Sequence, residues 1–244
     1  MSLAPTRIDS YKSRPADADA SDIQADDAGP PRTLARGQAY LYIVGCRDDT
    51  LFKIGFSRDP LQRWRSLHPR FFEFFDLEQG ILVRTERVAQ ARRIERELHA
   101  AFRFHEAPSP AIVPLQAAGH TEWFRGVIDE AIDAARAQAL RQAYAHQQPK
   151  SWLSAVLIDR KDRLFDWSAR MLEAIEYAEH NQGGVGAGLH MRELCAALDA
   201  YRSVGIDPRP LLPAAVARWY AAHTDGALSG DTPDSDRRDD DRFV

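Results

Sequence analysis

Four short stretches carry side chains fit for acid–base and charge-stabilising chemistry. They are Tyr40-Leu41-Tyr42, Lys53-Ile54-Gly55, Asp59-Pro60-Leu61-Gln62-Arg63 and Glu95-Arg96-Glu97-Leu98-His99. Together they offer phenols, an ammonium, guanidiniums, carboxylates and an imidazole. A cation beside a phenol makes the phenolate easier to form. Glu95 and His99 are four residues apart, so on a helix they share one face.

For these groups to meet, the elements bearing them must pair in a particular register. Residues 39–44 form an alternating apolar run, residues 45–50 a polar break, and residues 51–55 a second apolar run. Two strand-like runs around a short Gly/Asp break predict a β-hairpin. Successive residues on a strand face opposite sides. If Leu41, Ile43, Phe52 and Ile54 face the core, Tyr42 and Lys53 lie together on the other face. Arg63 then reaches them from a helix over residues 59–67, with Asp59 as N-cap and Pro60 at the first helical position. His68-Pro69 ends that helix.

Phe71, Phe72, Phe74 and Phe75 read as core packing, and residues 77–85 as a third strand. Residues 86–104 show a helical apolar stripe through Ala91, Ile94, Leu98, Ala101 and Phe102. Residues 105–120 hold three prolines and read as a loop, after which Trp123 is expected to open a helix over residues 124–146. From residue 149 the pattern becomes all-helical, with helices near residues 164–178, 189–201 and 211–222. The Gly-rich break at 181–188 lacks the Lys-Ser/Thr of a phosphate loop and follows a helix, which fits a helix C-cap and linker.

The ordered motif set, closed by Glu122-Trp123-Phe124, resembles the GIY-YIG nuclease superfamily, in its phage-associated or meiotically up-regulated branch. The resemblance spans residues 37–126. It implies an α/β domain with a small, about three-stranded antiparallel sheet flanked by helices. It also implies a metal-dependent DNA endonuclease, with RNA not excluded. By position, Glu95 would hold one divalent ion, Mg²⁺ or Mn²⁺, Tyr42 would activate water and Arg63 would steady the phosphate. Lys53 stands where many relatives carry a second tyrosine. Its ammonium is expected to ease ionisation of Tyr42, which costs about 4 kcal/mol at pH 7 for a free phenol. Tyr40 is the rival for the tyrosine role and Glu97 for the carboxylate. His99 fits a catalytic or a structural role. Glu122-Trp123-Phe124 reads as structural, with Glu122 in a helix's first turn. Arg58, Arg65, Arg92 and Arg96 suit a phosphate backbone, though a solvated charged face accounts for them nearly as well.

A second reading comes from another class: a catalytically silent module on the same fold that binds nucleic acid or protein. The Lys53 replacement and the net charge of −4 motivate it. The composition, 44% hydrophobic and 28% charged, is that of an ordinary globular chain and excludes wholesale disorder. With two distant cysteines and no long apolar run, the expected setting is cytoplasmic, without a membrane span. The expected layout is a disordered segment at 1–36, the nuclease-like domain at 37–148, a helical region at 149–228 and an acidic disordered tail at 229–244. The helical region is a second small domain or an extension packed on the first, suited to a protein partner or self-association.

Overall fold

The computed structural model describes residues 37–117, 122–181, 183–184 and 186–225. The expected disordered segment 1–36 and the acidic tail 229–244 lie outside the described residues. The predicted hairpin is present as β1 (Ala39–Cys46) and β2 (Leu51–Ser57). Their register sets Tyr42 opposite Gly55 and Val44 opposite Lys53. Directly opposed residues on an antiparallel pair share a face, so Tyr40, Tyr42, Lys53 and Gly55 lie on one side. Leu41, Ile43, Phe52 and Ile54 pack on the other, as the alternation predicts.

The sheet has five strands rather than about three, in the order β4-β2-β1-β3-β5, all neighbours antiparallel. β3 (Phe75–Thr85) is the anticipated third strand, begun two residues earlier. β4 (Trp123–Arg125) takes the place of the expected helix start. The reason is visible in its side chains. Trp123 joins the tyrosine face and Phe124 the opposite face, and both are fully buried. Only an extended chain can send two adjacent residues into cores on opposite sides of a sheet. β5 (His146–Gln147) adds a short edge strand beside β3. Gly80 in β3 has φ +149°, and a Cβ there would run into the Ile43 carbonyl oxygen. A glycine is therefore required where β3 crosses the irregularity between Val44 and Gly45.

Two helix layers cover the sheet. On the tyrosine face lie α1 (Pro60–Leu67) and the single turn α2 (Phe71–Phe74). Asp59 caps α1, its carboxylate accepting from the Gln62 N–H at 3.2 Å. Phe71, Phe72 and Phe75 are buried here around Trp64, as the core reading of the cluster expects, and Phe74 packs half-buried against them. On the other face lie α3 (Val88–Phe102) and α4 (Ile128–Arg141). Ala91, Ile94 and Leu98 form the buried stripe of α3.

Four further helices follow: α5 (Pro149–Asp159), α6 (Lys161–Asn181), α7 (Ala187–Ser203) and α8 (Ala214–Asp225). The sequence pattern did not single out α5. It is the helix that joins this region to the sheet, since Trp152 meets Tyr40 edge-on at 5.6 Å and Trp64 at 5.5 Å. One apolar core thus runs from the tyrosine face of the sheet into α5–α8. Among the described residues, no helix is long and apolar enough to cross a membrane.

Candidate active site

β1 and β2 place Tyr42 and Lys53 on the same face, both fully buried. Lys53 cannot stay charged there without a counter-ion. Its ammonium donates to Glu122 Oε2 at 2.6 Å and sits 5.0 Å from the centre of the Trp123 ring. Burial lowers the Lys53 pKa, and Glu122 is the group that most opposes this. Glu122 is therefore a member of the site, and its expected place in a helix's first turn is incorrect. It immediately precedes β4, and its backbone carbonyl accepts from Ile54 N–H at 3.1 Å. No local sign of this stands in the sequence, because the alternation sets Lys53 on the face away from the expected core, and only a second core on that face makes it need a carboxylate.

Arg63 reaches the same point from α1. Its guanidinium lies 4.0 Å from Glu122 Oε2 and donates to the Ala117 carbonyl. Of the two cations, Arg63 and not Lys53 is the one that most favours the Tyr42 phenolate. Burial outweighs it and pushes the phenol well above its ordinary pKa, with Glu122 and Glu95 adding to the effect. The Tyr42 hydroxyl is buried with no hydrogen-bond partner of ordinary geometry among the described residues. A Cβ on Gly55 would lie 2.6 Å from that oxygen, so the glycine makes the room in which the phenol lies.

Glu95 turns from α3 toward this group and is 8% exposed. Its carboxyl is pushed up to about 7, by burial first and then by Glu122, against the pull of Lys53, Arg92 and Arg63. Glu97 points to solvent, 3.9 Å from Arg93, which separates it from its rival. His99 packs edge-on against Phe124 at 5.1 Å and hydrogen-bonds the Ile54 backbone. Burial disfavours its charged form, and its Nε2 is buried without a partner among the described residues.

The remaining candidates scatter. Tyr40 shares the sheet face but packs on Trp152. Arg92 lies over the Phe56 ring at 5.4 Å, at the rim near Glu95. Arg58 and Arg96 are exposed. Arg65 is on α1 but lines a separate cleft toward α5–α7. The structure thus gathers Tyr42, Lys53, Arg63, Glu95 and Glu122 around one point, with His99 beside it.

The cluster sets two cations, Lys53 and Arg63, beside a buried phenol and two carboxylates, of which Glu95 is held toward its neutral form by burial. Such perturbed, convergent groups mark a candidate functional site. Residues 39–139 match the family model of the T5orf172 domain. That domain is phage-associated and commonly grouped with nuclease-related domains of GIY-YIG and HNH-like type, and no GIY-YIG model matches directly. The match takes in every member of the cluster and ends before α5. No curated protein and no solved structure matches the chain.

Proposed function

We propose that this domain hydrolyses DNA phosphodiester bonds by a metal-dependent, GIY-YIG-type mechanism. The observation that carries the reading is the convergence of Tyr42, Arg63 and Glu95, drawn from three different elements, within a domain of the nuclease-related group. Glu95 fits a divalent cation. It is a hard oxygen donor, held nearly out of water, whose ionised form is disfavoured by burial and by Glu122. Among the described residues, no group of three or more His, Cys, Asp or Glu forms a larger ligand set. Water and substrate oxygens would complete the shell, as suits Mg²⁺, with Mn²⁺ as its substitute. When bound, the ion would supply Lewis-acid stabilisation of charge at the phosphate.

The chain's own residues do the rest. Arg63 contacts a phosphate oxygen and offsets the charge that builds in the transition state. Tyr42, as phenolate, accepts the proton of the attacking water. Ionising an ordinary phenol at pH 7 costs about 4 kcal/mol, and burial makes Tyr42 harder still, so Arg63 is essential to both steps. Lys53 and Glu122 position one another and hold Arg63 within reach. Cleavage of a labelled DNA duplex in single turnover tests the assignment. Tyr42→Phe and Arg63→Ala each slow the step by about 100-fold or more. A Tyr42→Phe protein that cleaves at the parental rate removes Tyr42 from the chemistry.

A second reading has its own observation. Tyr42 is sealed from solvent and Lys53 is engaged by Glu122, an arrangement that also serves a silent binding module on the same fold. DNA binding without cleavage on plasmid, single-stranded or branched substrates would favour it.

A further inference from the structure

On the far side of α1 from Arg63, a cleft of about 1020 Å³ opens between α1–α2 and the helices α5–α7. That is the upper end of the usual range for ligand sites, about 300–1,000 Å³. Its floor is apolar: the partly exposed Trp167, Met191 and Leu189 lie over the buried Phe71 and Leu157. Its walls carry Arg65, Arg70, Arg160, Arg163 and Arg192, against the single carboxylate Glu193. In a chain with a net charge of −4, this is a local concentration of cations.

Two of these arginines are spoken for. Arg160 holds Asp59 at 3.0 Å, and Arg70 holds Glu73 and Asp199. Arg65, Arg163 and Arg192 form no salt bridge among the described residues. They also repel. Loss of water lowers the pKa of both Arg65 and Arg163, and the guanidinium of Arg160 lowers each further. Guanidiniums gathered against their mutual repulsion over an apolar floor match a ligand that alternates phosphates with flat, stackable rings.

We infer that this cleft binds an unpaired strand of the nucleic-acid substrate, its phosphates on Arg65, Arg163 and Arg192 and its bases against the apolar floor. The inference deepens the hydrolase reading and rests on its substrate being nucleic acid. α1 links the two sites. Arg63 and Arg65 are two residues apart and so point about 200° away from each other around the helix. A strand crossing α1 meets the reaction centre on one side and the cleft on the other. The substrate class that follows is a duplex with a single-stranded flank rather than a blunt duplex.

The full chain is titrated, in chelator so that no cleavage occurs, against a fluorescent duplex with a single-stranded flank and against its blunt counterpart. Both are repeated with Arg163→Glu/Arg192→Glu and with the milder Arg163→Gln/Arg192→Gln. The parent binds the flanked probe more tightly. The Glu variant loses about tenfold on that probe and little on the blunt one, and its salt slope falls by about 1.4 for two lost phosphate contacts. The Gln variant falls between. Arg163→Glu relieves the repulsion from Arg160, so the melting temperature holds while binding fails. Equal affinity of parent and variant for the flanked probe overturns the inference. So does displacement of the flank by a mononucleotide at equal phosphate concentration, which reassigns the cleft to a small nucleotide. Flank binding without nicking in Mg²⁺ discards the hydrolase reading alone, and nicking with no preference for the flank discards the cleft alone.

Discussion

Replacing Glu95 by Gln should make the metal-free protein more stable while abolishing its activity, and the effect should depend on pH. The carboxyl is pushed up to about 7 in the folded chain, against an ordinary 4.5. Below both values it is protonated in folded and unfolded chains alike. As pH rises from 4.5 toward 7, the unfolded chain releases the proton and the folded chain keeps it, so stability falls. Above 7 the full penalty applies, about 3 kcal/mol from the gap between the two values. Gln carries no such penalty. For a chain of this size 1 kcal/mol moves Tm by about 2–4 °C. Glu95→Gln should therefore melt about 6–12 °C higher than the parent at pH 8 and nearly level with it at pH 4.5. Mg²⁺ at about 100 times its Kd should recover about 2.7 kcal/mol in the parent and nothing in the variant. Thermal melts followed by tryptophan fluorescence read both effects. A variant that melts lower than the parent, or differs from it equally at both pH values, would show that the Glu95 carboxyl carries no such burial penalty.

Two further perturbations address what holds the site. Glu122→Gln takes the partner from a buried ammonium and should cost about 3 kcal/mol, the low end for such pairs because the carboxylate side chain is 27% exposed. In a cycle with Lys53→Met, urea unfolding should show the double variant less destabilised than the sum of the singles; additivity within about 0.5 kcal/mol would deny the coupling. Gly55→Ala would put a methyl 2.6 Å from the Tyr42 oxygen. It should cost about 1–3 kcal/mol by overpacking and slow cleavage, so unchanged stability and rate would show that the phenol is free to move.

Much of this arrangement is legible in the sequence because it follows local rules. The alternation in residues 39–44 and 51–55 sorts Tyr42 and Lys53 from Leu41, Ile43, Phe52 and Ile54, and the register bears this out. Asp59-Pro60 marks α1 and the apolar spacing marks α3, though that spacing leaves Glu95 and Glu97 as rivals, and only the structure buries Glu95 and exposes Glu97. What was not legible depends on distant chain. β4 exists only because β2 offers it an edge and cores wait on both sides for Trp123 and Phe124. Glu122 belongs to the site because Lys53, 69 residues earlier, is buried against it. α5 is anchored by Trp152 on Tyr40 and Trp64, contacts with no periodic trace in its own segment. The arginine cleft likewise needs α1 and α5–α7 together in space.

Metal-dependent hydrolysis at Glu95 is read by nicking of supercoiled plasmid by the purified chain, with Mg²⁺, Mn²⁺ or chelator and with Glu95→Ala beside the parent. Nicking should need the metal and disappear in Glu95→Ala. Nicking that persists in chelator or in the variant would contradict it. So would a folded parent that binds DNA and leaves the plasmid supercoiled.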